Sequence, residues 1–175
     1  MQSKLERIAL GGGCFWCTEA GFKNIRGVVK VTAGYAGGTT ANPTYEAVSR
    51  GNTGHAEVVL VEYDPEPVAL EELLDVFFSM HDPATPNRQG NDNGTQYRSI
   101  ILYTSEGQKA GIDEFLDCFR QDHDGPVVTQ VEPLERFHPA EDYHQDYYER
   151  NPRQPYCRVV IAPKVEKNRN RPGTA

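Results

Sequence analysis

Hydrophobic and polar positions follow one another along the chain in short segments that predict strands and helices in turn. Segments rich in Val, Ile and Leu predict five strands, over LERIALGG, VVKVTAGYA, HAEVVLVEY, YRSIILYT and VVTQVEPL. Apolar residues with helical spacing predict two amphipathic helices, one at Leu70, Leu73, Leu74, Phe77 and Phe78, the other at Ile112, Phe115, Leu116 and Phe119. A further helix is expected over CFWCTEAGFKNI, ending at Gly27. The pattern predicts an α+β fold in which helices pack on a sheet as a two-layer sandwich.

Two segments do not fit regular structure. GYAGGTTANPTYEAVSRGNTGHAE and HDPATPNRQGNDNGTQYR are dense in Gly, Asn, Pro and Thr. Loops of this length are unusual in a compact domain unless they build a site. We therefore expect the functional side chains to come largely from these loops.

Composition limits the possible classes of protein. With 175 residues, 38% of them hydrophobic, the chain fits one domain over 1–175, with a basic tail expected to be flexible from about 165. No apolar run approaches the roughly 20 residues of a bilayer helix, and MQSKLERIAL lacks the apolar core of a signal peptide. A cytoplasmic protein is expected. The net charge of −7 disfavours nucleic acid as a partner.

The four cysteines, Cys14, Cys17, Cys118 and Cys157, would stay mostly reduced in that compartment. They are therefore candidates for catalysis or metal binding rather than for permanent cross-links. In GGGCFWCTEA the glycines allow a tight turn from strand to helix, which puts Cys14 at the first helical turn. Helix N-termini stabilise thiolates, so Cys14 is expected to be the reactive cysteine, and Cys17, one turn further, to face the sheet.

The CxxC spacing leaves three interpretations: a redox dithiol, half of a zinc site, or one working thiolate with an incidental neighbour. Zinc is the least favoured, because the other two cysteines are far apart in the sequence and do not form a second close pair. Between Cys14 and Cys17 lie Phe15 and Trp16. These two residues are either core packing or part of an apolar site next to the nucleophile.

A lone thiolate needs a proton donor and hydrogen-bonding groups if its substrate carries a poor leaving oxygen. The loop segments supply Tyr45, Glu57, Asp92 and Tyr97. Glu57 opens the apolar strand HAEVVLV, so it is either a buried carboxyl with a raised pKa or an ordinary surface glutamate. Patterning alone does not choose between these, nor does it identify the substrate.

Six motifs in order, GCFWC, GYAGG, NPTYEAV, TGHAEVV, HDPATPNRQGNDNGTQYRS and AEDYHQDYYERNP, are similar to those of the A-type peptide methionine sulfoxide reductases. The resemblance covers about residues 6 to 164. It implies a ferredoxin-like core with a mixed sheet and no bound metal or organic cofactor. It also implies reduction of the S epimer of methionine sulfoxide, free or in proteins, as repair under oxidative stress.

The resemblance also implies roles for individual residues. Cys14 would attack the sulfoxide sulfur and become a sulfenic acid, while a protonated Glu57 would protonate the sulfoxide oxygen. Tyr45 and Tyr97 would hydrogen-bond that oxygen. The remaining substrate-binding residues would be Phe15 and Trp16, which form a pocket for the ε-methyl group, and Asp92, His144 and Tyr147.

For recycling, the resemblance implies a Cys14–Cys157 disulfide that thioredoxin reduces. The chain carries no cysteine after Cys157, where some relatives have a glycine-rich tail and a further cysteine. The segment RVVIA is predicted as a strand there, which would restrict the access of Cys157 to Cys14. Cys118 is expected to serve in packing.

Two other classes of function remain open. A thiol–disulfide oxidoreductase would use Cys14 and Cys17 as its redox pair, so replacing Cys17 would abolish turnover. A redox-sensing binding module would use its thiol once only, so multiple turnover with a thiol reductant would exclude it.

Overall fold

The computed structural model describes residues 4–169 and contains a mixed sheet with a separate small hairpin. The strands are β1 Glu6–Gly11, β2 Val28–Ala36, β3 Ala56–Tyr63, β4 Arg88–Gln89, β5 Asp92–Asn93, β6 Ile100–Tyr103, β7 Gln130–Pro133 and β8 Phe137–Pro139. Six of them form one sheet in the order β7-β6-β1-β3-β2-β8, and β4 pairs with β5. All pairs in the large sheet are antiparallel except β6 with β7, which is parallel. The five predicted strands are present as β1, β2, β3, β6 and β7, whereas β8 and the hairpin were not predicted.

The helices are α1 Phe15–Phe22, α2 Tyr45–Ser49, α3 Leu70–Met80, α4 Glu106–Asp122, α5 Tyr147–Arg150 and α6 Ala162–Arg169. Short 3-10 turns cover Thr95–Tyr97 and Asp142–His144. Side chains cap two of these helices: Thr44 accepts the amide of Ala47 at the start of α2, and Ser105 accepts the amide of Gln108 at the start of α4. The predicted amphipathic helices are thus confirmed as α3 and α4.

The sheet curls strongly because its two edge strands are joined by a short connection. Only residues 134–136 separate β7 from β8, and this span covers at most about 14 Å. Six flat strands would place those edges about 24 Å apart. The sheet therefore bends until its edges approach each other.

Each face of the sheet buries its own apolar cluster. The larger cluster joins Ile8, Leu10, Val59 and Val61 of the central strands to α1, α3 and α4, through residues such as Phe22, Leu73, Phe77 and Ile112. On the other face Ala9, Val58, Leu60, Ile100 and Leu102 form a smaller cluster, against which Leu134 and Phe137 pack. Alternate residues of β1 and β3 thus enter opposite clusters, as the two-residue period of a strand requires.

The prediction of a strand at RVVIA is wrong. Cys157–Ile161 form a turn of π-helix that continues directly into α6. Of the β-branched residues that suggested a strand, Val159 is exposed, whereas Ile161 and, one helical turn later, Val165 are buried against Ala20 of α1. α6 extends beyond residue 165, where the tail was expected to begin, and residues 170–175 lie outside the described part of the chain.

Among residues 4–169, no helix is long and apolar enough to cross a membrane.

Candidate active site

A glycine turn carries the chain from β1 into α1 and delivers Cys14 to the start of that helix. Gly13 has a φ of +84°, and its amide donates to the carbonyl of Tyr97 at 3.1 Å. A Cβ added at Gly12 would lie 2.7 Å from the ring of His81. Both positions thus need glycine, and Cys14 is the residue that directly precedes α1.

The Cys14 thiol does not rest as a stable thiolate. Burial raises its pKa well above the ordinary value, and the nearby charge of Glu57 raises it further. The backbone amide of Trp16, in the first turn of α1, hydrogen-bonds the sulfur and lowers the pKa, but desolvation outweighs it. The helix end thus lowers the pKa of Cys14 in the expected direction, but the cost of desolvation is larger than this gain in the free protein.

Glu57 is the second residue of β3 and is 1% exposed. Its Oε1 accepts the amide of Phe15 at 3.2 Å, while its Oε2 is buried without a partner in the described residues. Burial raises the pKa of this carboxyl to about 8, more than the Phe15 amide lowers it. Of the two interpretations left open by the sequence, the buried carboxyl with a raised pKa is correct.

Tyr45 and Tyr97 flank Glu57 from the two loop segments. Burial raises the pKa of Tyr45 to about 12, with further contributions from the charges of Glu57 and Cys14. The pKa of Tyr97 is raised by burial first and then by the same neighbours. Both phenols therefore keep their protons at neutral pH and can donate hydrogen bonds next to the Cys14 sulfur.

An aromatic wall stands beside Cys14. Trp16 stacks on Tyr147 with ring centroids 3.7 Å apart and planes 6° from parallel. Phe15 is fully buried and contacts Tyr45 and His144, with centroids 6.5 and 5.1 Å away. This wall is apolar in the direction of the thiol, so it suits a small hydrophobic group.

His144 fixes the indole of Trp16 rather than offering a charge. The indole Nε1–H donates to His144 Nδ1 at 3.0 Å, so Nδ1 is unprotonated and the imidazole proton is on Nε2. Burial lowers the pKa of His144, so the ring is neutral at pH 7. Its Nε2 is buried without a partner in the described residues.

Two residues that hold the site together were not identified from the sequence. Tyr156 donates its hydroxyl proton to Asp92 at 3.0 Å and meets Trp16 edge to face at 6.0 Å. Glu141 accepts the Tyr35 hydroxyl at 2.9 Å and the Tyr45 amide at 3.1 Å, which fixes the start of α2. Their positions beside Cys157 and within AEDYHQDYY were the available signals, but only the fold brings them to the site.

A cavity of about 750 Å³ opens at Cys14. Its lining includes Gly13, Asp82 and Asp92 on one side and Tyr156 with Lys164 on the other. A side chain can thus reach the sulfur from solvent through a partly apolar channel.

Cys157 lies behind this opening rather than within it. It is 0% exposed and shares a buried cluster with Cys17, Ala20 and Ile161, while Cys14 packs at the edge of that cluster. Cys17 faces this C-terminal helix and not the sheet, contrary to expectation, because α6 covers that side of α1. Cys118 is exposed on α4, so the prediction that it packs in the core is wrong.

In the part of the chain that the structure describes, no group of three or more His, Cys, Asp or Glu side chains could hold a metal ion. The fold brings together the predicted residues around Cys14, and of these Cys14 and Asp92 line the cavity; the group comprises Cys14, Phe15, Trp16, Tyr45, Glu57, Asp92, Tyr97, His144 and Tyr147. Cys157 is brought close to them but not into the cavity.

Comparisons with known proteins agree with this arrangement. The sequence profile of the family described as "Peptide methionine sulfoxide reductase" matches residues 6–174. The chain is 55% identical over 163 residues to the peptide methionine sulfoxide reductase MsrA of Sulfolobus acidocaldarius, covering 93% of each chain.

Solved structures are similar as well. The reduced form of Mxr1 from Saccharomyces cerevisiae superposes with a TM-score of 0.83 at 36% identity, over 88% of this chain and 90% of that one. Mxr1 in complex with Trx2 gives a TM-score of 0.60 at 26% identity, over 84% and 89% of the two chains. With the profile, the relatives and the structures in agreement, the chain belongs to the peptide methionine sulfoxide reductase family of oxidoreductases.

Proposed function

We propose that the protein reduces the S epimer of methionine sulfoxide, free or in proteins, through Cys14, and that a Cys14–Cys157 disulfide is then reduced by thioredoxin. The cycle repairs oxidised methionine under oxidative stress. The observation that carries the proposal is Glu57, a buried carboxyl that is protonated at pH 7 and has one uncommitted oxygen beside the Cys14 thiol.

The chemistry requires this pairing of thiol and acid. A sulfoxide sulfur is a weak electrophile until its oxygen is protonated or strongly hydrogen-bonded. Glu57 donates to that oxygen through Oε2, and Tyr45 and Tyr97 donate hydrogen bonds to it. The ε-methyl group lies against Phe15 and Trp16.

The first step is balanced as an oxygen transfer. Glu57 gives its proton to the sulfoxide oxygen and takes up the proton of the Cys14 thiol, while the Cys14 sulfur bonds to the sulfoxide sulfur. The protonated oxygen then moves to the Cys14 sulfur as the S–O and S–S bonds to the methionine sulfur both break, which leaves Cys14 as a sulfenic acid. Cys14 is oxidised by two electrons and the sulfoxide is reduced to the thioether of methionine. The raised pKa of the thiol implies that binding of the substrate is needed before the proton leaves.

Recycling uses a second thiol. The Cys157 thiol condenses with the sulfenic acid, a disulfide forms and water leaves. Because Cys157 is buried in a π-helical turn, we expect that turn to change conformation when the disulfide forms. A dithiol reductant then returns both thiols, and the solved complex of the relative Mxr1 with Trx2 supports thioredoxin in this role.

Reduced thioredoxin is maintained in the cytosol, which supports a cytoplasmic location. No metal or organic cofactor enters the proposed cycle. The core order β6-β1-β3-β2, with antiparallel neighbours, supports the ferredoxin-like description.

One observation favours a second scheme for recycling. Cys17 lies in the same buried cluster as Cys157, and Cys14 packs against that cluster. Cys17 is therefore close to both of the other cysteines. In this scheme Cys17, not Cys157, would condense with the sulfenic acid.

A single-turnover assay tests the proposal. Reduced protein is mixed with the separate S and R epimers of a methionine sulfoxide peptide without external reductant, and the disulfide is mapped by mass spectrometry. Methionine from the S epimer only, with Cys14 joined to Cys157, is the expected result. Absence of methionine from both epimers would overturn the proposed activity, and a Cys14–Cys17 bridge would overturn the recycling scheme.

A further inference from the structure

The short helix α5 is attached to α1 directly behind the aromatic wall. Trp16 and Glu19 lie three residues apart on α1, so their side chains leave the helix on neighbouring positions of one face. Tyr147 is the first residue of α5 and stacks on Trp16 at 3.7 Å. The position of the start of α5 therefore determines where the Tyr147 ring lies relative to Trp16.

Glu19 lies where α1 contacts the start of α5, a region called here the α1–α5 joint. Its side chain is 2% exposed, although no step of the proposed reaction uses it. The backbone amide of Tyr147 interacts with its carboxyl and favours the charged form. Its Oε2 is buried without a partner in the described residues. A buried carboxyl that is only partly satisfied is costly, so it is expected to have a role in the structure that surrounds it.

A small charge network surrounds this carboxyl. Lys23, one turn after Glu19, forms ion pairs with Asp146 and with Glu149, the latter at 3.2 Å. The Asp146 and Glu149 side chains are 42% and 60% exposed, so water screens them, and Arg150 adds a second cation nearby. Lys23 therefore pairs with two exposed carboxylates, and its charge also favours the ionised form of the buried Glu19.

The backbone at the joint also needs support. Asp146 has a φ of +56°, a left-handed conformation that non-glycine residues adopt at a cost. The Lys23 ion pair holds its side chain, and the Glu19 carboxyl faces the amide of the next residue, Tyr147. Both contacts fix the chain where it turns into α5.

We propose that Glu19 is a positioning residue that holds Tyr147 against Trp16, so that the protonation of its carboxyl controls the geometry of the methyl-binding wall. Ionised Glu19 binds the Tyr147 amide and competes for Lys23. Protonated Glu19 is a weaker acceptor for the Tyr147 amide, and the loss of this contact loosens the start of α5 even though Lys23 keeps its ion pairs with Asp146 and Glu149.

The charges and the burial around Glu19 together place the protonation of its carboxyl near neutral pH, where it can be measured. Burial raises the pKa of Glu19 to about 7, against lowering contributions from Lys23, the Tyr147 amide and Arg150, while Glu149 raises it. A small cavity of about 90 Å³ lined by Glu19, Lys23 and Tyr148 leaves room for the carboxyl to move. The joint should therefore differ between pH 6 and pH 8.

The wall carries its own spectroscopic reporter, because Trp16 is the only tryptophan of the chain. Its emission depends on the stacked Tyr147 ring, so we expect a transition near pH 7 in a fluorescence titration from pH 6 to 9. In the Glu19→Gln variant the carboxamide oxygen still accepts the Tyr147 amide but does not titrate, and the transition should disappear. Persistence of the transition in Glu19→Gln would overturn the proposal.

Two control variants distinguish Glu19 from two other glutamates. Glu149→Gln removes a screened member of the same network and should shift the transition without removing it. Glu57→Gln should also keep it, because Glu57 titrates at about 8 and its carboxyl accepts the amide of Phe15, not that of Tyr147. Loss of the transition in Glu57→Gln with retention in Glu19→Gln would assign it to Glu57 and refute the inference.

A kinetic readout then connects the joint to substrate binding, and this part rests on the proposed function. Glu19→Ala removes the acceptor, so the KM for a methionine sulfoxide peptide should rise roughly fivefold with a smaller change in kcat. Glu19→Gln should restore KM, and an unchanged KM in a folded Glu19→Ala protein would contradict the positioning role. If the protein proved inactive towards sulfoxides, the fluorescence result would still decide the role of Glu19.

Discussion

The amide of Phe15 donates to Glu57 Oε1 at 3.2 Å, and this single bond ties the first turn of α1 to the start of β3. It orients the carboxyl so that one oxygen is anchored and the other, Oε2, remains uncommitted beside the thiol. Because the carboxyl is buried and its pKa is about 8, this free oxygen carries a proton over most of the physiological pH range. One backbone hydrogen bond and the exclusion of water thus produce a protonated carboxyl of the kind that the proposed general-acid role requires.

Glu57→Gln should slow the single-turnover reduction of the S sulfoxide by roughly 100-fold or more, because the amide can hydrogen-bond the oxygen but cannot give it a proton. Quench-flow measurement of methionine release gives the rate. Glu62→Gln, at the other end of β3, is the matched control and should react at the wild-type rate. Equal rates in Glu57→Gln and the wild type would remove Glu57 from the reaction.

The free energy of unfolding should depend on the Glu57 carboxyl with a definite sign. Its pKa rises on folding from 4.5, the ordinary value for a glutamate in water, to about 8, so between these values the native state binds more protons than the unfolded state. Stability from this group is present below about pH 4.5 and is lost as pH rises through about 8, by an amount on the order of a few kcal/mol.

Urea denaturation at pH 5, 6, 7 and 8 tests this dependence. The Glu57→Gln protein should gain stability relative to the wild type as pH rises, because the variant has no carboxyl to ionise. Glu62→Gln should follow the wild-type curve. A difference between Glu57→Gln and wild type that stays constant with pH would contradict the assigned pKa.

The two candidate resolving cysteines are separated by their serine variants. Cys157→Ser should release about one methionine per enzyme and then stop in the presence of thioredoxin, because the sulfenic acid has no partner thiol. Cys17→Ser should retain thioredoxin-driven turnover. The opposite pattern would make Cys17 the resolving residue and Cys157 a packing residue.

Tyr147 tests the aromatic wall. Tyr147→Phe keeps the ring that stacks on Trp16 and should leave KM close to the wild-type value. Tyr147→Leu removes the stack, which is worth about 0.5–1.5 kcal/mol beyond its buried area, so KM should rise roughly two- to tenfold. If both variants had the same KM, the stacked ring would not form part of the substrate site.

Local patterns predicted most of the regular structure. The strands β1, β2, β3, β6 and β7 and the helices α3 and α4 follow from periodicity, because a half-buried strand or helix repeats its apolar residues at the spacing of its own geometry. The C-terminal segment did not follow, because RVVIA has the residues of a strand but packs as a helix on α1. Tertiary burial outweighed the intrinsic preference there.

The sequence by itself determined the family resemblance, the candidate nucleophile and the set of polar loop residues near it. Only the tertiary structure decided that Glu57 is buried with one free oxygen, that the Cys14 thiol is protonated at rest, and that Tyr156 and Glu141 support the site. These properties depend on desolvation and on contacts between residues far apart in the chain. The sequence gives the identity of each residue. The environment that determines the protonation and reactivity of each residue forms only when β3, α1 and the C-terminal helix pack together.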